Sequence, residues 1–329
     1  MHARIGTPVF LAALFLTICW PSFAREPLEI VIISDINGRY GSTGYHRRVA
    51  VAVSQIISLE PDLVISTGDM VAGQRPSPKL QRLELDAMWD SFHQTIRRPL
   101  EAAGIPVIMT PGNHDASAYP GFEGERAAYA DYHRAHPPTV TLEPGGFFPF
   151  YFSLEFGGLL LASLDATRSG ELPVEQRDWL RAKLQGEHLA APKILFGHLP
   201  MQPIASGRES DVINDTALEQ LLQQSGNVSY LSGHHHAYYP GQRQGINMFS
   251  MGNLGGNQRK LIDGGNATGF SFALMRVDSL GVATIKAFAG PGFEDTVPIT
   301  SLPAQLGNGD HQLTRYRGSS GNLENALDE

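Results

Sequence analysis

Cysteine is almost missing from this sequence: Cys19 is the single one among 329 residues. It lies in an apolar run, residues 9–20, that follows Arg4. The run is followed by Ser22 and Ala24, the two small residues that a signal peptidase recognises. This arrangement predicts a signal peptide over residues 1–24, with cleavage after Ala24. The run is short for a membrane span, so an uncleaved anchor is the weaker alternative. Cleavage removes the cysteine, which excludes a disulfide framework and a thiolate metal site.

Positive charge is also scarce, because 25 Lys and Arg face 33 Asp and Glu, a net charge of −8. Removing Arg4 with the leader leaves 24 against 33, or −9, which argues against broad nucleic-acid binding. A second long apolar run is missing as well, so we expect no stable membrane anchor after cleavage. These features predict an exported protein, either periplasmic or secreted. We expect one domain over residues 25–299, followed by a polar, flexible C-terminal tail over residues 300–329.

Alternating strand and helix patterns dominate the first third of the mature chain. Leu28–Ile33 is a β-branched run of the kind that is buried on both faces, and residues 62–65 and 105–109 follow the same pattern. Apolar residues recur with helical spacing between these strands, over residues 49–57 and 80–96. The β-α-β-α-β order predicts an α/β fold with parallel strands. Further strands are predicted at residues 150–156, 159–164, 193–196, 228–231, 270–277 and 282–288.

Five polar residues stand where apolar strands end, and four of them follow a glycine. Any one of them fits a simple turn, since Asp and Asn are common turn residues. Together they predict a metal site, because ligands of open α/β sheets gather at the carboxyl ends of strands. Carboxylate and imidazole groups suit zinc, iron and manganese, and two such ions stabilise an in-line displacement. The five residues are Asp35, Asp69, Asn113, His198 and His234.

The ordered motifs around these residues resemble those of calcineurin-like metallophosphoesterases, over roughly residues 29–251. The resemblance implies a two-sheet β-sandwich flanked by helices, with a dinuclear metal site at the C-terminal ends of strands. The motifs are Asp35-Ile36-Asn37, Gly68-Asp69, Gly112-Asn113-His114-Asp115, Gly197-His198 and Gly233-His234-His235-His236, with Leu164-Asp165, Gly170, Gln176 and Trp179-Leu180 between them.

The resemblance also implies a role for each matching residue. Asp69 would bridge two metal ions, with Asp35 and His236 on one ion and three further ligands, Asn113, His198 and His234, on the other. His114 would contact the substrate phosphate or protonate the leaving oxygen, and Asp115 would orient His114. His235 would point away from the metals.

Asn37 departs from the resemblance, because the family's first motif usually ends in histidine. An amide oxygen is a weaker ligand than imidazole, so the first ion would be held loosely or would be iron, manganese or magnesium rather than zinc. Alternatively, Asn37 shapes the turn with Gly38 and water completes the metal shell.

The neighbouring Arg39 and Tyr40 are candidate substrate contacts, since arginine matches phosphate geometry, but they fit a solvated loop equally well. Similar candidates are Arg75, Arg168, Arg259 and Lys260, which we interpret as surface residues rather than site residues. We expect residues 75–79 and 121–149 to select the substrate.

The sequence thus predicts a metal-dependent phosphoric ester hydrolase, either a phosphomonoesterase or a phosphodiesterase. Two ions of iron, manganese or zinc would present a metal-bound hydroxide to a small phosphorylated substrate. The alternative is a protein of the same fold that binds phosphate or a phospho-ligand with weak or no catalysis.

Overall fold

The computed structural model describes residues 26–186 and 188–318. The predicted signal peptide, residues 1–24, and the last part of the predicted tail, residues 319–329, lie outside the described residues. The helices are α1 Arg47–Leu59, α2 Arg82–Phe92, α3 Arg98–Ala102, α4 Asn113–Ala116, α5 Glu123–Ala135, α6 Val174–Gln185 and α7 Thr216–Ser225, with a π-helical turn His93–Arg97 between α2 and α3. The strands are β1 Leu28–Ile33, β2 Leu63–Ser66, β3 Val107–Met109, β4 Phe152–Phe156, β5 Leu159–Ser163, β6 Lys193–Phe196, β7 Val228–Ser232, β8 Tyr239–Arg243, β9 Ile246–Ser250, β10 Ser271–Asp278, β11 Gly281–Ala289, β12 Gln305–Leu306 and β13 Leu313–Arg315.

The first sheet has the strand order β11-β10-β1-β2-β3, in which β1, β2 and β3 are parallel. Ile30 and Ile32 of β1 pack toward the second sheet, whereas Val31 and Ile33 pack in the cluster that contains α1 and α2. Both faces of the strand are therefore buried, which is why its sequence is apolar throughout. The parallel β-α-β-α-β unit predicted from the sequence is confirmed.

The second sheet has the order β12-β13-β8-β9-β7-β6-β5-β4, with a parallel centre of β5, β6, β7 and β9. Its inner face forms one apolar core with the first sheet, and α6 and α7 contribute Leu180 and Leu218 to that cluster. The predicted architecture of two sheets flanked by helices is confirmed. In the described part of the chain, no helix is long and apolar enough to cross a membrane.

Four strands of the second sheet were not predicted, namely β8, β9, β12 and β13. The sequence of β8 is Tyr-Pro-Gly-Gln-Arg. Because proline and glycine are depleted in strands, this sequence does not predict one. The expectation of a flexible tail from residue 300 is wrong for residues 300–318. Strand β13 pairs with β8, and this polar segment supplies four buried side chains to the core, Leu302, Leu306, Leu313 and Tyr316.

Candidate metal centre

The strand ends of both sheets meet at one edge of the molecule. Asp35 and Asp69 follow β1 and β2, and Asn113 opens α4 just after β3. His198 follows β6 of the second sheet, and His234 follows β7. Backbone hydrogen bonds join these ends: the Asp35 N–H donates to the Gly68 carbonyl at 3.0 Å, and the Gly233 N–H donates to the His198 carbonyl at 2.9 Å. The structure therefore brings the sequence-predicted residues together.

Three of these five residues, and His236 after them, have unusual backbone conformations. The φ angles of Asp35, Asp69, His234 and His236 are 49°, 57°, 63° and 50°. Residues with a Cβ rarely adopt this left-handed region, and such strain clusters at functional sites. The backbone thus turns sharply at each strand end, and the polar side chain is directed to the shared edge.

The glycines before the polar residues are required by close approach between segments. A Cβ on Gly233 would meet the Ser34 hydroxyl and the Asp35 carboxylate, and one on Gly112 would meet the Asp69 backbone and carboxylate. Only glycine leaves room for these contacts. This explains why small residues precede the strand-end side chains.

His198 is the centre of one half of the site. Its Nδ1–H donates to the Thr67 carbonyl at 2.8 Å, which directs Nε2 into the cluster. Three electron-rich atoms face that Nε2: Asn113 Oδ1 at 2.9 Å, His234 Nδ1 at 3.2 Å and Asp69 Oδ1 at 3.3 Å. Because these atoms all offer lone pairs, a shared cation is the natural partner for them.

Gln74 orients the amide of Asn113. The Asn113 Nδ2 donates to Gln74 Oε1 at 2.6 Å, so the Asn113 Oδ1 is left to face His198. Gln74 is held in turn by Ser117, whose hydroxyl accepts from Gln74 Nε2 at 3.1 Å, and by Glu125, whose carboxylate accepts from the Gln74 N–H at 2.9 Å. Sequence reasoning missed Gln74, since it lies in a loop without a motif.

Asp35 and His236 form the other half of the site. The His236 Nδ1–H donates to the Asn257 carbonyl at 2.7 Å, so its Nε2 lone pair faces Asp35 Oδ1 at 3.0 Å. That buried Asp35 Oδ1 has no hydrogen-bond partner, whereas Asp35 Oδ2 accepts from the Ser34 hydroxyl and the His234 N–H. An orphaned buried carboxylate oxygen opposite an imidazole lone pair fits a cation between them.

The residues present therefore fit metal ions. Donor atoms of Asp35, Asp69 and His198 lie within 4.8 Å of one another, and all three residues are buried. Asn37 lies at the edge of this cluster, where its Nδ2 donates to the Val71 carbonyl at 3.3 Å and leaves Oδ1 as the atom able to ligate. Both interpretations of Asn37, as a ligand and as a turn residue, agree with this contact.

The electrostatics of the cluster match a site for positive charge. Burial raises the pKa of Asp69, but His198 and His114 outweigh it and lower that pKa to about 2. Burial lowers the pKa of His198, yet Asp69 and Asp35 raise it to about 9. The carboxylates thus remain charged and attract a proton where no other cation balances them.

His114 lies beside the cluster and is partly exposed. Its Nδ1–H donates to the Gly73 carbonyl at 2.9 Å, and its Nε2 lies 3.8 Å from Asp69 Oδ2. The His114 backbone N–H donates to Asp69 Oδ1 at 2.9 Å. The ring of Tyr40 lies 5.4 Å from the His114 ring at an angle of 34°. These contacts place the His114 Nε2 at the solvent side of the site.

The prediction that Asp115 orients His114 is wrong. The buried Asp115 carboxylate accepts three backbone hydrogen bonds, from Met70 at 2.8 Å, Val71 at 2.9 Å and Gly112 at 2.8 Å. It ties the loop after β2 to the loop after β3, and the orienting group for His114 is a backbone carbonyl. Sequence adjacency suggested the wrong partner because α4 directs successive side chains to different sides.

His235 points away from the cluster, as the resemblance implied. Its Nδ1 accepts from the Ile204 and Ala205 N–H groups at 3.2 and 3.3 Å, and its Nε2–H donates to the Asp211 carbonyl at 3.0 Å. This buried ring therefore fastens the loop of residues 204–211 next to the metal ligands.

A cavity of about 500 Å³ opens above the cluster. Arg39 and Tyr40 line it together with His114, and so do two arginines from distant loops, Arg208 and Arg259. The Arg259 guanidinium donates to the His234 carbonyl at 2.7 Å, so the interpretation of Arg259 as a surface residue is wrong. Residues 121–149 and 75–79 do not line this cavity, contrary to expectation, within the part of the chain that is described.

Comparisons with known proteins agree with this geometry. The family profile of calcineurin-like phosphoesterases matches residues 28–238, which is more than half of the chain. A glycerophosphodiester phosphodiesterase, GpdQ of Enterobacter lignolyticus, is 26% identical over 205 residues. That alignment covers 60% of this chain and 64% of the relative, so the chain spans less than two thirds of the relative's length.

Solved structures show the same fold at low identity. Purple acid phosphatase PPD1 from yellow lupin superposes with a TM-score of 0.58 and 17% identity, covering 82% of this chain and 52% of the phosphatase. GAP50, described as the anchor in the inner membrane complex of Plasmodium, gives a TM-score of 0.53 and 11% identity, covering 90% and 91%. Because the family profile matches more than half of its length, the chain belongs to the calcineurin-like phosphoesterase family.

Proposed function

We propose that this protein is a metal-dependent phosphoric ester hydrolase that acts on small phosphorylated substrates. The observation that carries the proposal is the convergence of lone-pair atoms on His198 Nε2 and on the orphaned Asp35 Oδ1. Two ions held there would supply Lewis-acid activation of the phosphoryl group and of water. Asp69 would contribute to both halves of the site: its Oδ1 lies 3.3 Å from His198 Nε2, and donor atoms of Asp69 and Asp35 lie within 4.8 Å of each other.

The chain's own residues provide positioning and proton transfer. The Gly73 carbonyl holds His114 Nδ1, so Nε2 is the atom that donates to a phosphoryl or leaving oxygen in the cavity. Asp69 Oδ2 lies 3.8 Å from that Nε2, so the proton donor stands next to the carboxylate of the cluster. Arg39 and Arg259 add positive charge to the cavity wall and would hold the remaining phosphoryl oxygens.

The test is a panel of aryl phosphomonoesters and phosphodiesters with the protein loaded with manganese, iron or zinc. The name of the 26%-identical relative makes a diester the first substrate to assay. The variant His114→Ala should lower turnover about 10²–10⁴-fold while bound metal stays at two ions per chain. His311→Ala, at an exposed histidine, is the matched control. Loss of metal together with activity would assign His114 to ligand binding instead.

A second candidate is a phospho-ligand-binding protein on the same fold, and Asn37 is the observation that favours it. If the half-site of Asp35 and Asn37 holds no ion, phosphate would bind to a one-metal centre without turnover. Metal analysis of the purified protein separates the two functions. Two ions with hydrolysis support the enzyme, whereas one ion with tight phosphate binding and no hydrolysis supports the binding protein.

We also propose that the protein is exported, on the basis of the predicted signal peptide over residues 1–24. Amino-terminal sequencing of the protein recovered outside the cytoplasm should begin at Arg25. An intact amino terminus at Met1 in a cytoplasmic fraction would contradict export.

A further inference from the structure

A second cavity, of about 180 Å³, adjoins the main one. The two share four lining residues, and Asn113 and His234 are among them. If a phosphoryl group bound against these two residues, its ester substituent would therefore lie at the entrance of the second cavity. We refer to this second space as the side cavity; beyond the four shared residues, which include Arg208, it is lined by Tyr119, Thr167, Arg168, Ser169, Leu199 and Asp211.

The walls of the side cavity are tied together by hydrogen bonds between distant segments. The Ala118 N–H donates to the Thr167 hydroxyl at 3.1 Å, and the Ser169 N–H donates to the Tyr119 hydroxyl at 3.2 Å. The Gly170 N–H donates to the Val212 carbonyl at 3.1 Å, which connects this wall to the loop fastened by His235. These hydrogen bonds therefore hold the walls of the side cavity in fixed positions relative to one another.

Positive charge exceeds negative charge in the side cavity. Arg208 is paired with Asp211 at 2.6 Å, and Asp211 is the one carboxylate among the described residues that line it. Arg168 is exposed, in agreement with its interpretation as a surface residue, yet it lines the side cavity and makes no ion pair or side-chain hydrogen bond with another described residue. An unpaired guanidinium beside a phosphoester site is suited to a second anion.

We propose that the side cavity is an anion subsite for the leaving group. It selects phosphoesters whose departing alcohol carries its own carboxylate or second phosphate, which Arg168 binds and Arg208 supports. This inference rests on the proposed function, since it assigns a substrate class to the same site. It also disfavours leaving groups with a quaternary ammonium, because Asp211 balances Arg208 and the guanidinium of Arg168 leaves the side cavity with a net positive charge.

The experiment uses two non-hydrolysable ligands of matched shape, 3-phosphonopropionate and its terminal carboxamide, titrated calorimetrically into the manganese-loaded protein. The carboxylate should bind about tenfold more tightly than the carboxamide, which is the effect of one partly exposed charge-assisted hydrogen bond. The variant Arg168→Gln should reduce this ratio to about two. Arg181→Gln, on the exposed face of α6, is the matched control and should keep the wild-type ratio.

Three outcomes overturn the subsite: equal binding of both ligands by the wild-type protein, an unchanged ratio in Arg168→Gln, or equal weakening of both ligands in that variant. The last result would mean that Arg168 acts on the metal-bound phosphonate. The wild-type ratio tests the inference even if the variant does not fold. Since binding is measured without turnover, a preference for the carboxylate with no hydrolysis would refute only the proposed function, and hydrolysis without the preference would refute only the subsite.

Discussion

Replacing Gln74 by leucine tests how the Asn113 half of the site is held in place. Leucine keeps the size of the side chain and the left-handed backbone, where Gln74 has a φ of 62°. It removes the acceptor of the 2.6 Å hydrogen bond from Asn113 Nδ2 and the donor to Ser117. The Asn113 amide then has no fixed orientation, and its Oδ1 competes with Nδ2 for the position facing His198.

The magnitude follows from these contacts. A neutral hydrogen bond contributes about 1 kcal/mol, and leaving the nearly buried Asn113 Nδ2 unpaired costs about 1–3 kcal/mol more. Asn113 is at the cavity wall and regains part of this from water, so we expect about 1.5–2.5 kcal/mol. This corresponds to about 10–70-fold weaker binding of the ion in the Asn113 half of the site, as for other groups that orient metal ligands.

The assay is titration of metal-free protein with manganese or zinc, followed by calorimetry and metal analysis. The variant Gln74→Glu should keep nearly the wild-type affinity for the metal, because its carboxylate still accepts from Asn113 Nδ2. Gln185→Leu, at an exposed position of α6, controls for the loss of an amide. Two ions bound by Gln74→Leu with wild-type affinity would refute the reasoning. An equal loss of metal affinity in Gln74→Glu and Gln74→Leu would also refute it, because it would indicate a folding defect in both variants.

Three further predictions concern the close contact of Gly233 with Asp35, the hydrogen bonds of Asp115 and the loss of stability at low pH. Gly233→Ala should abolish stoichiometric metal binding because its Cβ meets Asp35, whereas Gly124→Ala, with open space around the added Cβ, should leave metal content intact; metal analysis after gel filtration checks both. Asp115→Ala should lower the free energy of unfolding by about 3 kcal/mol or more in urea titrations, since three N–H groups lose their acceptor, and wild-type stability with reduced turnover would contradict this. Burial and Arg97 hold the pKa of His133 well below 6.5, so the unfolded chain takes up the proton first; stability should fall by about 1.4 kcal/mol per pH unit below pH 6.5, and His133→Leu should show a slope smaller by that amount.

Local patterns were enough to predict the framework of the fold. The strands β1 to β3 and the helices between them are signalled by apolar runs and helical spacing, which depend on neighbours in sequence. The strand β8 was missed because its proline and glycine contradict strand propensity, and pairing with β9 and β13 outweighs that local preference. Residues 305–315 fell within the predicted tail for a different reason, since two buried leucines in a polar segment are too few to form a pattern.

The predicted cluster residues and the functional residues missed by sequence reasoning differ in where their partners lie. Each strand-end residue follows its own strand, so parallel pairing brings Asp35, Asp69 and Asn113 to one edge without further information. Gln74 and Arg208 stand in loops, and nothing in the adjacent residues indicates what they contact. For Asp115 the error was the opposite one: it was predicted to bond to His114, its neighbour in sequence, but its carboxylate accepts from Met70 and Gly112 instead.

By itself, the sequence determined which donor types stand at the strand ends and which glycines make room for them, because both follow from local backbone requirements. Only the tertiary structure decided how these donors are aimed. The Thr67 carbonyl that orients His198 is 131 residues away in the chain, and Gln74 is 39 residues from Asn113. It also placed Arg168 and Arg208 on a cavity beside the cluster. Such contacts arise from the packing of separate segments against one core, which no local pattern encodes.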